Sequence, residues 1–242
     1  MDLTAIGQTL LFWLLPIVIA ITLHEAAHAW MADRCGDSTA RMLGRVSFNP
    51  LRHVHPVGTL LLPGALLALK APILFGFAKP VPVNFHRLPN RKSGMIWVAI
   101  AGPAANALLV IASLILIEAA RFLPVSMAFW VTVVLAKSIL INILLAIFNM
   151  IPLPPLDGGR VVVGLLPSPW DWKFERLEHV GLFILLGLLL GLILVIPWIA
   201  QQFGSDFNPA VQFIEPAIIS VFLYIGSFST LDPHFMAQLA FI

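Results

Sequence analysis

Charged residues and cysteine are both scarce in this chain. Only 11% of its 242 residues are charged and 60% are apolar, which is far from the composition of soluble domains. The formal net charge of +2 is too small to indicate a nucleic-acid partner. The single cysteine, Cys35, excludes an internal disulfide and a Cys-x-x-Cys zinc site. The composition therefore predicts a polytopic protein embedded in a lipid bilayer.

Two further absences bear on domain organisation. Residues 1–8 lack the basic stretch that opens a signal peptide, so the first apolar segment is predicted to be a retained span. No polar stretch is long enough to hold an additional soluble domain. We therefore expect one integral-membrane domain over residues 1–242, with a core at about 4–165 and C-terminal helices at about 180–230.

A charged motif stands inside the first apolar run. His24, Glu25 and His28 form an H-E-x-x-H pattern, and the run from Leu10 to Met31 carries no other charge. Residues four apart share a helix face, so the two imidazoles can meet one metal ion. In this pattern the histidines hold Zn²⁺ and the glutamate takes a proton from a water activated by the metal. A charged residue at mid-bilayer needs a partner, which a cation supplies. The alternative is a polar helix end that reaches water.

Apolar segments predict about five transmembrane helices in an all-α polytopic membrane protein. The predicted spans lie at about 4–32, 95–120, 127–148, 180–199 and 209–228, the last being either a span or an interfacial helix. Residues 57–77 are broken by prolines into pieces too short to cross, which predicts a re-entrant hairpin. Short membrane-edge β-strands are predicted at 40–48 and 81–85.

The basic residues cluster in the loops at 33–56, 79–92 and 160–176. By the positive-inside rule these loops are cytoplasmic and the N-terminus is outside, in a multi-pass protein of the inner membrane. If 57–77 crossed the bilayer, Asp157 would lie opposite His24 and His28. A re-entrant hairpin brings all three to the cytoplasmic third, and we prefer it for that reason.

A catalytic zinc site typically has three protein ligands and one open position, so a third ligand is needed. Asp157 is the best candidate because it lies between a proline-rich break and the pair Gly158-Gly159, where irregular backbone can aim a carboxylate inward. Glu118 and Glu215, on apolar segments, are rivals. The alternative for Asp157 is a plain turn, since Asp-Gly is a common turn dipeptide.

Taken together, these motifs resemble the site-2 protease family of intramembrane zinc metalloproteases, in its compact bacterial type without PDZ or CBS domain. The residues that carry the resemblance are the H-E-x-x-H motif, Gly102 with Asn106, the segment 149–160 with its Leu-Asp-Gly core, and the stretches 44–58 and 76–84.

The resemblance implies an activity and a set of roles. His24, His28 and Asp157 would bind one catalytic Zn²⁺ per chain, and Glu25 would be the general base. The implied substrate is a transmembrane protein whose membrane-spanning segment is cut near the cytoplasmic face, as in regulated intramembrane proteolysis.

Several polar and extended residues receive supporting roles. Asn149 and Asn106 are second-tier candidates that would donate to the oxyanion or orient a ligand, and for Asn106 the simpler role is a bridge to a neighbouring helix. An exposed strand that includes Val81, Val83 and Asn84 is predicted to pair with an extended substrate by β-augmentation, the alternative being an ordinary loop.

Two other function classes stay open. A metal-ion transporter would spread ligand pairs through the depth of the membrane, whereas here they converge on one side. A proteolytically inactive scaffold that retains the metal is opposed by the intact Glu25. His53, His55 and His86 are interpreted as solvated or hydrogen-bonded histidines of the cytoplasmic loops.

Overall fold

Three long helices dominate the part of the chain that the computed structural model describes, which comprises residues 3–55, 58, 61, 79–191, 195–203, 212, 215–227, 229 and 231–241. In chain order, the helices of these residues are α1 (Leu3–Arg34), α2 (Thr39–Met42), α3 (Arg91–Ala120), α4 (Val125–Asn149), α5 (Asp157–Leu165), α6 (Trp170–Glu175), α7 (Glu178–Leu190), α8 (Ile196–Gln202), α9 (Glu215–Gly226) and α10 (Pro233–Phe241). Helices α1, α3 and α4 are long and apolar enough to cross a membrane. The predicted helical membrane protein is confirmed at that level.

Local sequence explains where the helices around the site begin and end. The side chain of Asn90 caps α3 by accepting a hydrogen bond from the Ser93 amide at 3.2 Å. Helix α4 ends at Asn149 because the prolines of 150–156 cannot continue it. The chain then turns back, and α5 begins at Asp157 against α3.

Helix α3 lies at the centre of the packing. It contacts α1, α4 and α5, while α1 also contacts α4, and α10 packs on α4 and α9. The largest apolar cluster joins α3, α4, α9 and α10 and includes Val110, Ile117, Ile139, Leu140, Phe222 and Met236. Since His24 and His28 lie on α1, Asn106 on α3 and Asp157 on α5, this packing brings the predicted metal ligands together.

Neither predicted edge strand is confirmed, since the described residues contain no β-strand. The strand expected at 40–48 is wrong at its start, where α2 forms after the Asp37 carboxylate accepts the Thr39 amide at 3.1 Å. Residues 79–84 have no regular secondary structure. Their backbone groups bind side chains and a loop carbonyl, as described below, and not a neighbouring strand.

The predicted number of five spans is not confirmed either. The C-terminal helices α7, α8 and α9 adjoin residues 192–194 and 204–214, most of which the structure does not describe, so the number of spans there stays a prediction. The predicted re-entrant hairpin at 57–77 lies outside the described residues, apart from Gly58 and Leu61.

Candidate metal centre

Three donor atoms from two helices meet in the interior of the protein. His24 and His28 lie one turn apart on α1, and Asp157 is the first residue of α5. The two Nε2 atoms are 3.0 Å apart, and Asp157 Oδ2 lies 3.3 Å from each of them. All three residues are buried. The structure therefore brings together the three residues that the sequence proposed as metal ligands.

The hydrogen bonds behind the imidazoles fix which nitrogen faces Asp157. His28 Nδ1 lies 2.7 Å from the Val98 carbonyl oxygen, which can only accept, so Nδ1 carries the proton. His24 Nδ1 lies 2.5 Å from Asn106 Oδ1 and donates in the same way. In a neutral imidazole the Nε2 atom then carries the free lone pair that a metal ligand requires.

This donor set fits Zn²⁺. With both Nδ1 atoms protonated, the three atoms that face one another are all acceptors, and Asp157 Oδ2 is buried with no hydrogen-bond partner. Acceptors held this close repel in a low-dielectric interior unless a cation lies between them. Tetrahedral zinc with bonds of about 2.0–2.1 Å separates its ligand atoms by about 3.3 Å, close to the spacings found here.

Gly102 makes room for this cluster on the α3 side. A Cβ atom at residue 102 would lie 2.3 Å from His28 Nε2 and 2.6 Å from His24 Cε1. Any side chain would thus occupy the space where the imidazoles converge. This gives a physical reason for a glycine one turn before Asn106.

A buried chain of amides continues behind His24. Asn106 Nδ2 donates to Asn142 Oδ1 at 2.8 Å, and Asn142 Nδ2 donates to the Ser138 carbonyl at 2.8 Å. Asn106 thus bridges α1 and α4. Sequence reasoning missed Asn142, and the available signal was its spacing of one turn from Ser138 inside an otherwise apolar span.

Glu25 lies beside the cluster and contacts the segment 79–84. Its Oε2 accepts a hydrogen bond from the Val81 amide at 3.0 Å. The segment is held by the buried guanidinium of Arg45, which donates to the carbonyls of Lys79 at 2.5 Å and Pro80 at 3.3 Å.

Further along the same segment, the Asn84 amide donates to Asp37 Oδ2 at 2.6 Å. At its start, the Lys79 amide donates to the His53 carbonyl at 2.9 Å. Val81 and Val83 pack against Ala29 and neighbouring apolar side chains. The predicted substrate segment is thereby anchored beside the predicted base.

The remaining candidates lie elsewhere or serve local structure. Asn149 donates to the Leu145 carbonyl of its own helix at 3.0 Å. Glu118 accepts from Ser229 Oγ at 2.8 Å and from Arg121 at 3.1 Å at the far end of α3, so this rival ligand is not part of the cluster. The side chain of the other rival, Glu215, lies outside what the structure describes.

The loop histidines have local partners. His53 is buried, with Nε2 2.9 Å from the Ser47 carbonyl oxygen, and His55 Nδ1 accepts from the Gly58 amide at 3.0 Å. The side chain of His86 is not described. These contacts agree with hydrogen-bonded loop residues.

A protein-family model described as Peptidase family M50 matches residues 12–124 and 124–194, which is most of the sequence. The chain belongs to peptidase family M50. The resemblance to site-2 proteases is thereby confirmed.

Relatives of this M50 chain carry zinc metalloprotease names. It is 33% identical over 181 residues to a Bacillus subtilis protein named "Putative zinc metalloprotease YwhC", covering 73% of this chain and 79% of that protein. It is 34% identical over 143 residues to "Putative zinc metalloprotease Rip2" of Mycolicibacterium smegmatis, covering 58% of this chain and 52% of that protein. No solved structure matches this chain at a significant level.

Family membership and geometry agree on the cofactor. Zn²⁺ is the metal of this zinc metalloprotease family, and the M50 chain has a His24, His28 and Asp157 group that could hold it. The three apolar helices make it a membrane protein.

Proposed function

We propose that this M50 chain is an intramembrane zinc endopeptidase that cuts transmembrane segments of substrate proteins near the cytoplasmic face. His24, His28 and Asp157 would hold one Zn²⁺, and Glu25 would be the general base. The observation that carries the proposal is the meeting of three buried acceptor atoms beside a glutamate, between helices long enough to span a bilayer.

The chemistry divides between the metal and the protein. Zn²⁺, when bound, lowers the pKa of a water and polarises the scissile carbonyl. Glu25 accepts the proton of the attacking water and passes it to the leaving amine. The Val81 amide, which donates to Oε2 of this carboxylate, fixes the position of Glu25 and leaves Oε1 for the proton.

Val81, Val83 and Asn84 are proposed to receive the substrate. A transmembrane helix must unwind before its peptide bonds are accessible, and an extended segment can pair with the unwound backbone. Residues 79–84 support this role because they are anchored beside Glu25 without belonging to a sheet. A substrate paired with this segment would lie next to the base.

A matched pair of variants tests this substrate segment. Val83→Pro removes a backbone donor, whereas Val83→Ala keeps it and shortens the same side chain. We expect Val83→Pro to raise KM for a model span several-fold and Val83→Ala to remain close to wild type. Equal KM values for the two variants would assign residues 79–84 to structure alone.

The proposed orientation places the N-terminus outside the inner membrane and the metal centre toward the cytoplasm. The basic loops at 33–56, 79–92 and 160–176 support it. Reporter fusions at residues 36 and 122 should report opposite sides of the membrane, with residue 36 cytoplasmic. The reverse assignment would refute the orientation and leave the chemistry of the site untouched.

The central test compares wild type with Glu25→Gln in liposomes that contain a model transmembrane substrate. General-base catalysis contributes roughly 10²–10⁴-fold, so cleavage by Glu25→Gln should fall by at least about 10² while zinc content stays the same. Glu178→Gln is the matched control, because Glu178 forms an exposed ion pair with Arg160. Equal cleavage by wild type and Glu25→Gln would refute the proposal, and zinc flux without cleavage would favour a transporter.

A further inference from the structure

We propose that Asn142 is a positioning residue of the metal centre, acting through Asn106 to determine which nitrogen of His24 faces the metal. The inference rests on the proposed function in one respect, that His24 is a metal ligand. Asn142 touches neither the donor atoms nor Glu25 in any contact that the structure describes. Its effect would therefore be indirect.

The direction of the hydrogen bonds follows from one backbone atom. The Ser138 carbonyl can only accept, so Asn142 must turn its Nδ2 toward it, at 2.8 Å. Asn142 Oδ1 then faces Asn106 and accepts its Nδ2 at 2.8 Å. Asn106 is left with Oδ1 toward His24 Nδ1, at 2.5 Å, and this nitrogen must carry the proton.

This series of hydrogen bonds is buried away from water, so the direction of each bond in it is fixed. Asn106 and Asn142 are both 0% exposed. Reversing either amide would set donor against donor or acceptor against acceptor where no solvent can compensate. The free lone pair on His24 Nε2 is therefore set by a carbonyl on α4, two side chains away.

Loss of Asn142 would release this constraint. Asn106 could then rotate its amide and present Nδ2 to His24 Nδ1, which would move the imidazole proton to Nε2 and remove the lone pair. His28 is insulated from this change because its Nδ1 binds the backbone carbonyl of Val98 on α3. The two histidines thus differ in their dependence on distant side chains.

The network also joins α1, α3 and α4, so a purely structural role has to be separated from positioning. Thr132 offers the matched control, because it is buried on the same helix as Asn142 and its hydroxyl donates only locally, to the Ala128 carbonyl at 2.8 Å. Asn142→Leu removes both the Nδ2 donor and the Oδ1 acceptor and leaves a side chain of similar size. Asn142→Asp, neutral in this buried setting, keeps one donor and one acceptor in the same geometry.

The experiment measures zinc affinity of the full chain in detergent by competition with a chelator, together with thermal unfolding of each zinc-free variant. Replacing a residue that orients a ligand typically weakens metal binding 10–100-fold. We expect Asn142→Leu to weaken it at least about tenfold, Thr132→Val to leave it within about twofold, and Asn142→Asp to restore most of it.

A double-mutant cycle tests whether Asn142 affects zinc binding through Asn106 or independently of it. If Asn142 works through Asn106, the double variant Asn106→Leu with Asn142→Leu should bind zinc no more weakly than Asn106→Leu alone. Additive losses would overturn the inference. It would also fall if Asn142→Leu bound zinc like wild type, or if Asn142→Asp were as weak as Asn142→Leu.

These outcomes are distinct from failure of the proposed function. A wild-type chain that binds no zinc, or that cleaves equally well as Glu25→Gln, would defeat the proposed function. A zinc-binding, cleaving wild type whose affinity is insensitive to residue 142 would defeat the positioning role alone.

Discussion

Gly102 has no side chain at the point where α3 meets the two histidines of α1. We predict that Gly102→Ala abolishes zinc binding, because its Cβ would lie 2.3 Å from His28 Nε2 and 2.6 Å from His24 Cε1. Metal analysis of the purified variant checks this. Gly187→Ala is the control, since a Cβ built there meets no described atom within 4 Å outside its chain neighbours and its own helix backbone. Full zinc content in Gly102→Ala would show that the helices can separate at little cost.

At the same scale, the candidate ligands differ in how far the sequence predicted that they would come together. His24 and His28 are predictable because helical periodicity alone places residues four apart on one face. Asp157 needed a choice among several acids, and the packing of α5 on α3 places its carboxylate, 3.3 Å from each Nε2 atom, beside the two imidazoles. Asn142 was missed because its importance comes from contacts between helices, and a polar residue in an apolar span does not identify its partner.

At the scale of elements, Arg45 anchors the segment 79–84. Arg45→Met keeps the apolar stem but removes the donors to buried carbonyls, so we predict a loss of about 1.5–3 kcal/mol in stability. Hydrogen exchange at the Val81 amide should become faster, since the preceding residues lose their anchor. Mass spectrometry of exchange and thermal unfolding measure the two effects.

Arg41, four residues before Arg45 and on α2, supplies a matched control. Arg41 forms an ion pair with Asp33, and its side chain is 65% exposed, so Arg41→Gln should change stability by less than about 1 kcal/mol. Equal exchange rates for residues 79–84 in both variants would mean that Arg45 does not hold the segment.

Asp37 gives the segment a defined pH response. Burial would raise the pKa of its carboxyl, but hydrogen bonds from Thr39 and the Asn84 amide, with the charge of Arg87, outweigh burial and hold this pKa below its usual value. A carboxylate with a depressed folded pKa stabilises fully above the unfolded value, near 3.9, and this contribution is lost as the pH falls through the folded pKa.

Comparison of wild type with Asp37→Asn tests that response. The difference in unfolding midpoint should be constant between pH 7 and about pH 5 and should shrink below about pH 4. Thermal unfolding at stepped pH provides the measurement. If the difference in unfolding midpoint between wild type and Asp37→Asn grew on acidification, the prediction would be contradicted.

The edge strands failed as predictions for a reason that these contacts explain. Val81 and Val83 do pack on Ala29 and Ala40, as an alternating pattern would suggest. A strand also needs a partner backbone. Here no second segment of the described chain pairs with 79–84, and side chains of Arg45, Glu25 and Asp37 bind four of its backbone groups, the Lys79 and Pro80 carbonyls and the Val81 and Asn84 amides. Alternation in a sequence indicates which side chains are buried and does not indicate what binds the backbone.

For the whole molecule, metal removal should lower stability. A ligand that binds only the folded state stabilises it by about 2.7 kcal/mol at one hundred times its dissociation constant. We predict that a chelator lowers the unfolding midpoint of wild type and of Glu25→Gln alike. Asp157→Ala, which lacks a donor, should be insensitive to the chelator. A chelator response in Asp157→Ala equal to that of wild type would remove Asp157 from the ligand set.

The long spans were the most predictable part of the architecture. Helices α1, α3 and α4 follow from apolar runs of sufficient length, which hydropathy detects directly. The C-terminal spans at 180–199 and 209–228 stay predictions, because the structure does not describe residues 192–194 and most of 204–214.

The distribution of the donors along the chain has a consequence for biosynthesis. His24 and His28 enter the membrane with the first helix, whereas Asp157 is translated only after α4 is complete. A nascent chain therefore holds an incomplete set of candidate donors until residue 157, about two thirds of the way along the 242 residues, has been added. As the proposed protease, the chain would acquire activity only late in synthesis, so a chain that ends before residue 157 would not cut neighbouring membrane proteins.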